Sequence, residues 1–425
     1  MTALVAAVAV PAAGAVVVRV LVSSTALPAT PAPTVPAAQR SSEPLPTPPV
    51  AAAIGPRISV DLGCADGLDA AGLSAWLARP SPVIGFDNAH VYPLGGSRYL
   101  WLVNDAYVDH AGTVTALTQA AYVNNLAIVQ VGSCFSALHG GSLESPSEFE
   151  LGILPDLDSK LFFWPLGGTL VDGQVHVVWA QMLNDHPSPA SIDGIVRHPI
   201  ATWYATYDAE TLERLNFRPM PNSGVFPQYG FDVETVGDWT YLFGNSNLLN
   251  FSYEGGFFGA DHSATRMYVA RVPRGRLDEL PTYWDGAGWS PDPTASVPIS
   301  ERFALENQMQ VAYIEGQWIA VTKEDGFVGR DLVVDVATEP WGPWIEVARS
   351  PMDAPRPEFG GTEDPSVIGG ADRVAYHPFI LPWSEGDVLT IMASATAIPW
   401  EEAIDNLEFY RSFVVDIPRP SLSQN

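Results

Sequence analysis

The chain has 425 residues, with 48 acidic side chains against 21 basic ones and a formal net charge of −27. A field of that sign repels phosphates and excludes a nucleic-acid partner. Only 16% of residues are charged and 47% are hydrophobic, with 13 Trp, 14 Tyr and 18 Phe, which excludes a disordered acidic chain.

Residues 1–18 carry no charged side chain and are built mainly from Ala and Val; Arg19 interrupts the run before it resumes to Leu27. This reads as a signal peptide or membrane anchor over 1–27, although a positive n-region is missing. Residues 28–56 are rich in Pro, Ala, Thr and Ser and cannot bury enough surface to offset their ordering entropy, so a linker is expected there. A folded domain over 57–425 completes an exported, surface or extracellular layout. Cys64 and Cys134 are too few for a disulfide framework or a zinc cluster; a pair in an oxidising compartment and two buried thiols both fit.

A helix is expected over Ala70–Leu77 and a helical turn near Trp400–Ile404; the rest reads as short strands between Gly, Asp and Asn turns. One pattern recurs, an apolar strand, a tight turn and a strand rich in Tyr, Trp and Val. It occupies His90–Leu94 with Tyr99–Val103, then Leu161–Leu166 with Val175–Ala180. It returns at Asp232–Val236 with Trp239–Phe243, at Met309–Ile314 with Gln317–Thr322, and at Pro378–Leu381 with Asp387–Ala393. Third strands are expected at Ala127–Val131, Ala201–Tyr207, Arg266–Val272, Leu332–Val336 and Phe409–Val415. Hairpins spaced by roughly 65–75 residues fit decorated four-stranded blades, and five of them predict an all-β five-bladed β-propeller. A pair of β-sandwiches fits less well, because Gly230-Phe231-Asp232 repeats Gly85-Phe86-Asp87.

In a propeller the first strand of each blade lines the central channel, so residues that begin these strands converge on one mouth. They are Asp87, Trp164, Asp232, Gln308 and His377. Asp87 and Asp105 lie nine residues on either side of Gly96, which places the carboxylates opposite each other if the turn centres there. A bulge would shift that register by one. Two neighbouring carboxylates supply an acid and a base or nucleophile, as hydrolysis of a glycosidic bond requires. The bland alternative gives both aspartates turn-capping roles. Trp164, Tyr107, Trp203, Phe258, Trp341 and Trp344 are candidate stacking faces for sugar rings, although most propeller Trp packs between blades. Asp185–His186 resembles a dyad but lacks a G-x-S-x-G serine, and no P-loop, dinucleotide fingerprint or H-E-x-x-H is present.

The stretch Tyr99-Leu100-Trp101-Leu102-Val103-Asn104-Asp105 resembles the strand motif ending in Gly-Asp of proteins classed under domains of unknown function 4185 and 5005. Tyr122-Val123-Asn124-Asn125, Met267–Val272, Tyr283-Trp284-Asp285-Gly286, Pro340–Trp344, Ala375-Tyr376-His377-Pro378 and Tyr410-Arg411 fit in the same order. The resemblance spans Ile84 to Ile417. It implies a five-bladed propeller related to glycoside hydrolase family 183, the endo-D-arabinofuranases that cut mycobacterial-type arabinan. It also implies that Asp87 and Asp105 do the chemistry. Asn104 and Ala106 depart from that family, which has Gly and Ser or Thr there.

The expectation is therefore an exported glycoside hydrolase acting on a furanoside-containing, arabinan-like polysaccharide. Asp87 and Asp105 are the catalytic pair, and Asn125, Trp164, Asp232, Gln308 and His377 position the sugar. No cofactor or metal is expected, although Asp87, Asp232 and Asn307 make a calcium-dependent lyase or lactonase conceivable. A monomer is expected, tethered or released. The rival expectation is a non-catalytic propeller that binds glycan or another surface protein.

Overall fold

Three of the recurring turns are two-residue hairpin loops. Asp172–Gly173 and Glu315–Gly316 have positive φ at both positions, 51° and 78° in the first and 49° and 84° in the second. That is the type I′ geometry matched to strand twist, which Asp-Gly favours. Gly237–Asp238 closes the third, with Val236 opposite Trp239. The computed structural model describes residues 57–150, 161–187, 195–223, 227–245, 266–300, 309–323, 331–352, 372–384, 386–398, 403–404 and 406–419. The leader, the linker, Gln308, Asn307, Phe258 and most of the Trp400–Ile404 turn lie outside the described residues. Among those described, no helix is long and apolar enough to cross a membrane.

The strands form five antiparallel sheets, the blades of a β-propeller. Blade 1 holds β1 (Ile58–Cys64), β2 (Val83–Gly95), β3 (Arg98–Val108), β4 (Ala121–Val131), β5 (Cys134–Gly141) and β6 (Pro146–Ser147), with β2 innermost and β1 outside β5. Blade 2 holds β7 (Leu161–Val171), β8 (Gln174–Pro187), β9 (Ile195–Asp208) and β10 (Arg214–Pro219). Blade 3 runs through β11 (Gln228–Val236), β12 (Trp239–Asn245), β13 (Met267–Pro273), β14 (Thr282–Trp284) and β15 (Trp289–Ser290). Blade 4 holds β16 (Gln310–Ile314), β17 (Gln317–Lys323), β18 (Asp331–Ala337) and β19 (Ile345–Pro351). Blade 5 holds β20 (Asp372–Ile380), β21 (Val388–Ile398) and β22 (Phe413–Pro418). The expected fifth third-strand begins later than its apolar run, because Leu407–Tyr410 forms a 3-10 turn first.

The cores lie between blades. Leu102, Ala127, Phe163, Val177 and Trp179 pack blade 1 on blade 2, and Leu166, Val178, Phe231 and Leu242 pack blade 2 on blade 3. Phe243, Val269, Val311 and Trp318 join blades 3 and 4; Ile319, Val334, Ile380 and Ile391 join blades 4 and 5. Trp101, Phe379 and Met392 close the ring.

Polar contacts stitch the same boundaries. Tyr92 donates its hydroxyl to the Leu166 carbonyl between blades 1 and 2. Asp232 accepts from the Val311 amide between blades 3 and 4, and the Gln310 side chain accepts from the Ile380 amide at 2.8 Å between blades 4 and 5. Blades 2 and 3 instead meet backbone to backbone, since a Cβ on Gly167 would fall 2.4 Å from the Asp232 Cα.

The ring closes without a shared strand among the described residues. Helix α1 (Ala70–Ala78), one residue longer than expected, is capped by Asp69, whose side chain accepts from the Gly72 amide at 2.8 Å. It buries Leu73 and Trp76, and the Trp76 ring stacks on Phe135 at 3.9 Å. The Ser74 hydroxyl accepts from the Val414 amide at 2.9 Å and donates to the Val414 carbonyl at 3.1 Å, which fixes the helix to β22. Cys64 and Cys134, directly opposite on β1 and β5, form a disulfide that ties this clasp to blade 1.

Candidate functional site

Two bulges in the first hairpin decide where the aspartates go. The pairs His90–Leu102, Val91–Trp101 and Tyr92–Leu100 follow the expected symmetry, but extra residues at Asn88–Ala89 shift β2 so that Asp87 faces Asn104. A second irregularity on β3 leaves Asp105 and Ala106 between the Asn104 and Tyr107 pairs. The direct opposition of Asp87 and Asp105 is thereby corrected: they are offset by one residue. Asn88 and Asp105 adopt φ of 40° and 43°, a left-handed conformation that costs about 1–3 kcal/mol at a non-glycine residue and collects at functional sites. Side chains alternate along a regular strand, so this turn at Asp105 breaks the alternation and re-aims its carboxyl.

Blade 5 holds the bulges. The Ser394 hydroxyl accepts from the Asn88 amide at 2.8 Å, and the Ser412 hydroxyl donates to the Phe86 carbonyl at 3.2 Å. Tyr410, buried, donates to the Asp105 carbonyl at 2.8 Å. Its backbone runs so close to β2 that a Cβ on Gly85 would lie 1.8 Å from the Tyr410 carbonyl oxygen, which explains the glycine of Gly85-Phe86-Asp87.

Three side chains orient the carboxylates. Tyr376 on β20 donates to Asp87 Oδ1. Tyr122 on β4 donates to Asp105 Oδ1 at 2.5 Å, and Trp164 on β7 donates its indole N–H to the same oxygen at 2.9 Å. Burial raises the Tyr410 hydroxyl well above the ordinary phenol range, and the charges of Asp87, Tyr376, Asp105 and Tyr107 raise it further. Both carboxylates thus act on one buried phenol, where blades 1, 2 and 5 meet. Tyr107 packs edge-on against Tyr410 at 5.2 Å and lies 5.3 Å from the Tyr122 ring.

Trp164 is therefore placed beside Asp105. Tyr122, Tyr376 and Tyr410 carry no assigned role in the sequence reading, since nothing local distinguishes them from propeller-packing tyrosines. Asn104 was noted only as a departure from a motif. It lies across from Asp87, and its Oδ1 is buried without a partner among the described residues.

The other expected sugar-binding residues sit elsewhere. Asn125 is fully buried, and its amide is spent on backbone: Nδ2 donates to the Glu150 and Phe163 carbonyls at 2.9 Å, and Oδ1 accepts from the Glu150 amide at 2.8 Å. It joins blade 1 to blade 2. The inner strands bend at one height, with bulges at Asp87/His90, Pro165/Gly168, Tyr229/Asp232 and Tyr376/Phe379. Tyr229 is thus the counterpart of Asp87, and Asp232 the counterpart of His90. The repeated Gly-Phe-Asp misaligns the blades. Asp232 is buried at the axis with Oδ1 accepting from the Val233 amide at 3.0 Å and Oδ2 from Val311. Burial lifts its carboxyl to about 7, and burial with the Asp232 charge lifts Glu234 to about 8. His377, at φ 50°, follows the tyrosine that reaches Asp87. Desolvation and then Lys323 hold its imidazole down at about 3; desolvation and then His377 do the same to His90. These groups form an axial polar layer rather than a sugar-facing mouth.

Trp203 packs on Phe217 at 5.2 Å and is core, whereas Trp341, stacked on Trp284 at 4.7 Å, and Trp344 are half-buried against the core between blades 3 and 4. Among the described residues no group of three or more His, Cys, Asp or Glu side chains could hold a metal ion.

Solved structures resemble this chain to different degrees. A presumed hydrolase from Bacteroides ovatus aligns over 81% of this chain and 88% of its own, with a TM-score of 0.58 and 15% identity. An exo-β-1,3-galactanase from Phanerochaete chrysosporium aligns over 86% and 67% at a TM-score of 0.42 and 10% identity, and a levansucrase from Bacillus subtilis over 79% and 85% at 0.40 and 12%. No functionally curated protein matches the sequence. The family described as Domain of unknown function (DUF5005) matches residues 72–354, most of the chain, and the protein belongs to that family.

Proposed function

We propose that the protein is a glycoside hydrolase that cleaves a furanoside-containing, arabinan-like polysaccharide through Asp87 and Asp105. The observation that carries this reading is the convergence of two bulge-mounted carboxylates on Tyr410, with Tyr376, Tyr122 and Trp164 as hydrogen-bonding donors. The resemblance of the sequence motifs to proteins related to glycoside hydrolase family 183, the endo-D-arabinofuranases, supports the substrate class.

The two donors on Asp105 Oδ1 stabilise negative charge there, which suits a nucleophile or base; Asp87 takes the role of proton donor to the leaving sugar oxygen. Trp164 and Tyr107 supply ring faces, as a neutral glycan requires. The Cys64–Cys134 disulfide favours an oxidising compartment and so an exported protein, with residues 1–27 as its signal or anchor and 28–56 as the linker.

The test is product analysis of arabinan and other cell-wall polysaccharides with the protein and its Asp87→Asn and Asp105→Asn variants. Oligosaccharide release by the parent, lost in both variants, supports the reading. Full activity in both variants removes the pair. Glycan binding without turnover, indifferent to both substitutions, replaces it with the binding-module reading.

A further inference from the structure

On blade 1, two histidines outside the proposed catalytic set meet tip to tip. His110 follows β3 in the turn that Asp109 organises by accepting from the Ala111, Thr113 and Val114 amides at 3.0, 2.6 and 2.9 Å. His139 lies on β5, opposite Ile58 of β1, and is fully buried. Their Nε2 atoms are 3.0 Å apart and the ring centroids 5.0 Å, with 25° between the planes.

The tautomers follow from one contact. His139 Nδ1 lies 2.6 Å from the Gly140 carbonyl oxygen, which can only accept, so Nδ1 carries the proton and Nε2 presents its lone pair to His110. A backbone carbonyl on the far ring nitrogen is the outer partner that metal-binding histidines use to fix ring and tautomer. The His110 Nδ1 is buried without a partner among the described residues, so a tautomer that moves its proton there and frees Nε2 breaks no hydrogen bond at Nδ1.

We propose that His110 and His139 form a two-histidine site for a divalent transition-metal ion, with water completing the coordination. With metal–nitrogen bonds of about 2.0–2.1 Å, two imidazole ligands lie about 2.9 Å apart at a right angle and about 3.3 Å apart at the tetrahedral angle. The observed separation is nearer the first, the cis arrangement of tetragonal Cu²⁺ or Ni²⁺ sites, with Zn²⁺ second. Asp109 and Glu144 lie close enough to act on His110 electrostatically, and both favour a cation beside it. A bound ion would clip the turn between β3 and β4 to β5. Those two strands carry Asp105 and Tyr122.

The test uses the full chain, stripped of metal, titrated calorimetrically with Cu²⁺, Ni²⁺ and Zn²⁺, beside a His110→Ala variant whose fold is checked by its melting transition. One-to-one binding weakened at least about tenfold in the variant is expected, since even an outer partner of a metal ligand carries 10–100-fold in affinity. The electron paramagnetic resonance spectrum of the Cu²⁺ adduct should show two equivalent-type nitrogen ligands. Equal affinity in parent and variant, a spectrum without imidazole nitrogen, or no binding at micromolar metal each overturns the site.

Discussion

The Tyr376 hydroxyl of the fifth blade donates to the Asp87 carboxylate of the first, across the seam where the ring closes. A hydrogen bond to the charge that develops on Asp87 as it gives up its proton is worth about 1.5–3 kcal/mol, so Tyr376→Phe should lower kcat on the cleaved polysaccharide by about 10–100-fold. Steady-state kinetics should show KM changed less than kcat, with the melting temperature nearly kept.

Trp164 and Tyr122 act on one oxygen of Asp105. Trp164→Phe keeps a ring and removes the N–H, and Tyr122→Phe removes only the hydroxyl. Each should reduce kcat by about tenfold or more, and the double variant should fall short of the product of the two, because both serve one carboxylate. A double-mutant cycle measures the coupling; strict multiplicativity would mean that the two donors act independently.

The sequence reading recovered the propeller because its signals are local: Asp172–Gly173 and Glu315–Gly316 turns, period-two strands and five recurring hairpins. It selected Asp87 and Asp105 as candidates by hairpin symmetry, and the real register departs from that symmetry at Asn88–Ala89 alone among the residues between Tyr92 and Asp87. Asp232 and Asn125 illustrate what stays illegible. A polar residue at the start of a strand looks the same whether it faces a channel or stitches two blades by backbone hydrogen bonds. Tyr376 and Tyr410, nearly three hundred residues and more from Asp87 and Asp105, come into play only once the ring is assembled.

Gly85 and Gly95 should respond differently to alanine. At Gly85 the new Cβ meets the Tyr410 carbonyl oxygen at 1.8 Å, a backbone clash that should destabilise by more than about 3 kcal/mol or prevent folding. At Gly95 nothing lies within 4 Å, and only its φ of 101° opposes the change, so about 1–2 kcal/mol is expected. Urea unfolding of both variants provides the comparison.

The Cys64–Cys134 bond closes a loop with a sequence separation of 70. Chain entropy over such a loop is worth about 4 kcal/mol, so dithiothreitol should lower the melting temperature by several degrees. Cys64→Ser/Cys134→Ser should reproduce the shift and be insensitive to reductant.

The axial layer should set the pH range of stability. Asp232 and Glu234 hold their protons in the folded state up to about 7 and about 8, above their unfolded values of 3.8 and 4.5. The folded state binds more protons between those limits, so these groups make stability fall as pH rises through that window. His90 and His377, at about 3 when folded against 6.5 unfolded, do the reverse: stability rises from pH 3 to 6.5. The two slopes oppose each other up to pH 6.5, and above it the carboxyls act alone. Melting curves should therefore show declining stability from pH 6.5 to 8, and Asp232→Asn should flatten the first part of that decline.

Helix α1, which sits near the start of the described chain and grips β22 near its end, gives the candidate site a kinetic property. Asp87 and Asp105 are made early on a growing chain, but Tyr376 and Tyr410 come last, and the clasp that holds their blade against the first cannot engage before β22 emerges. A nascent or truncated chain therefore carries Asp87 without its Tyr376 donor and Asp105 without the Tyr410 hydroxyl that holds its carbonyl. Competence arrives in one step, when the ends of the ring meet.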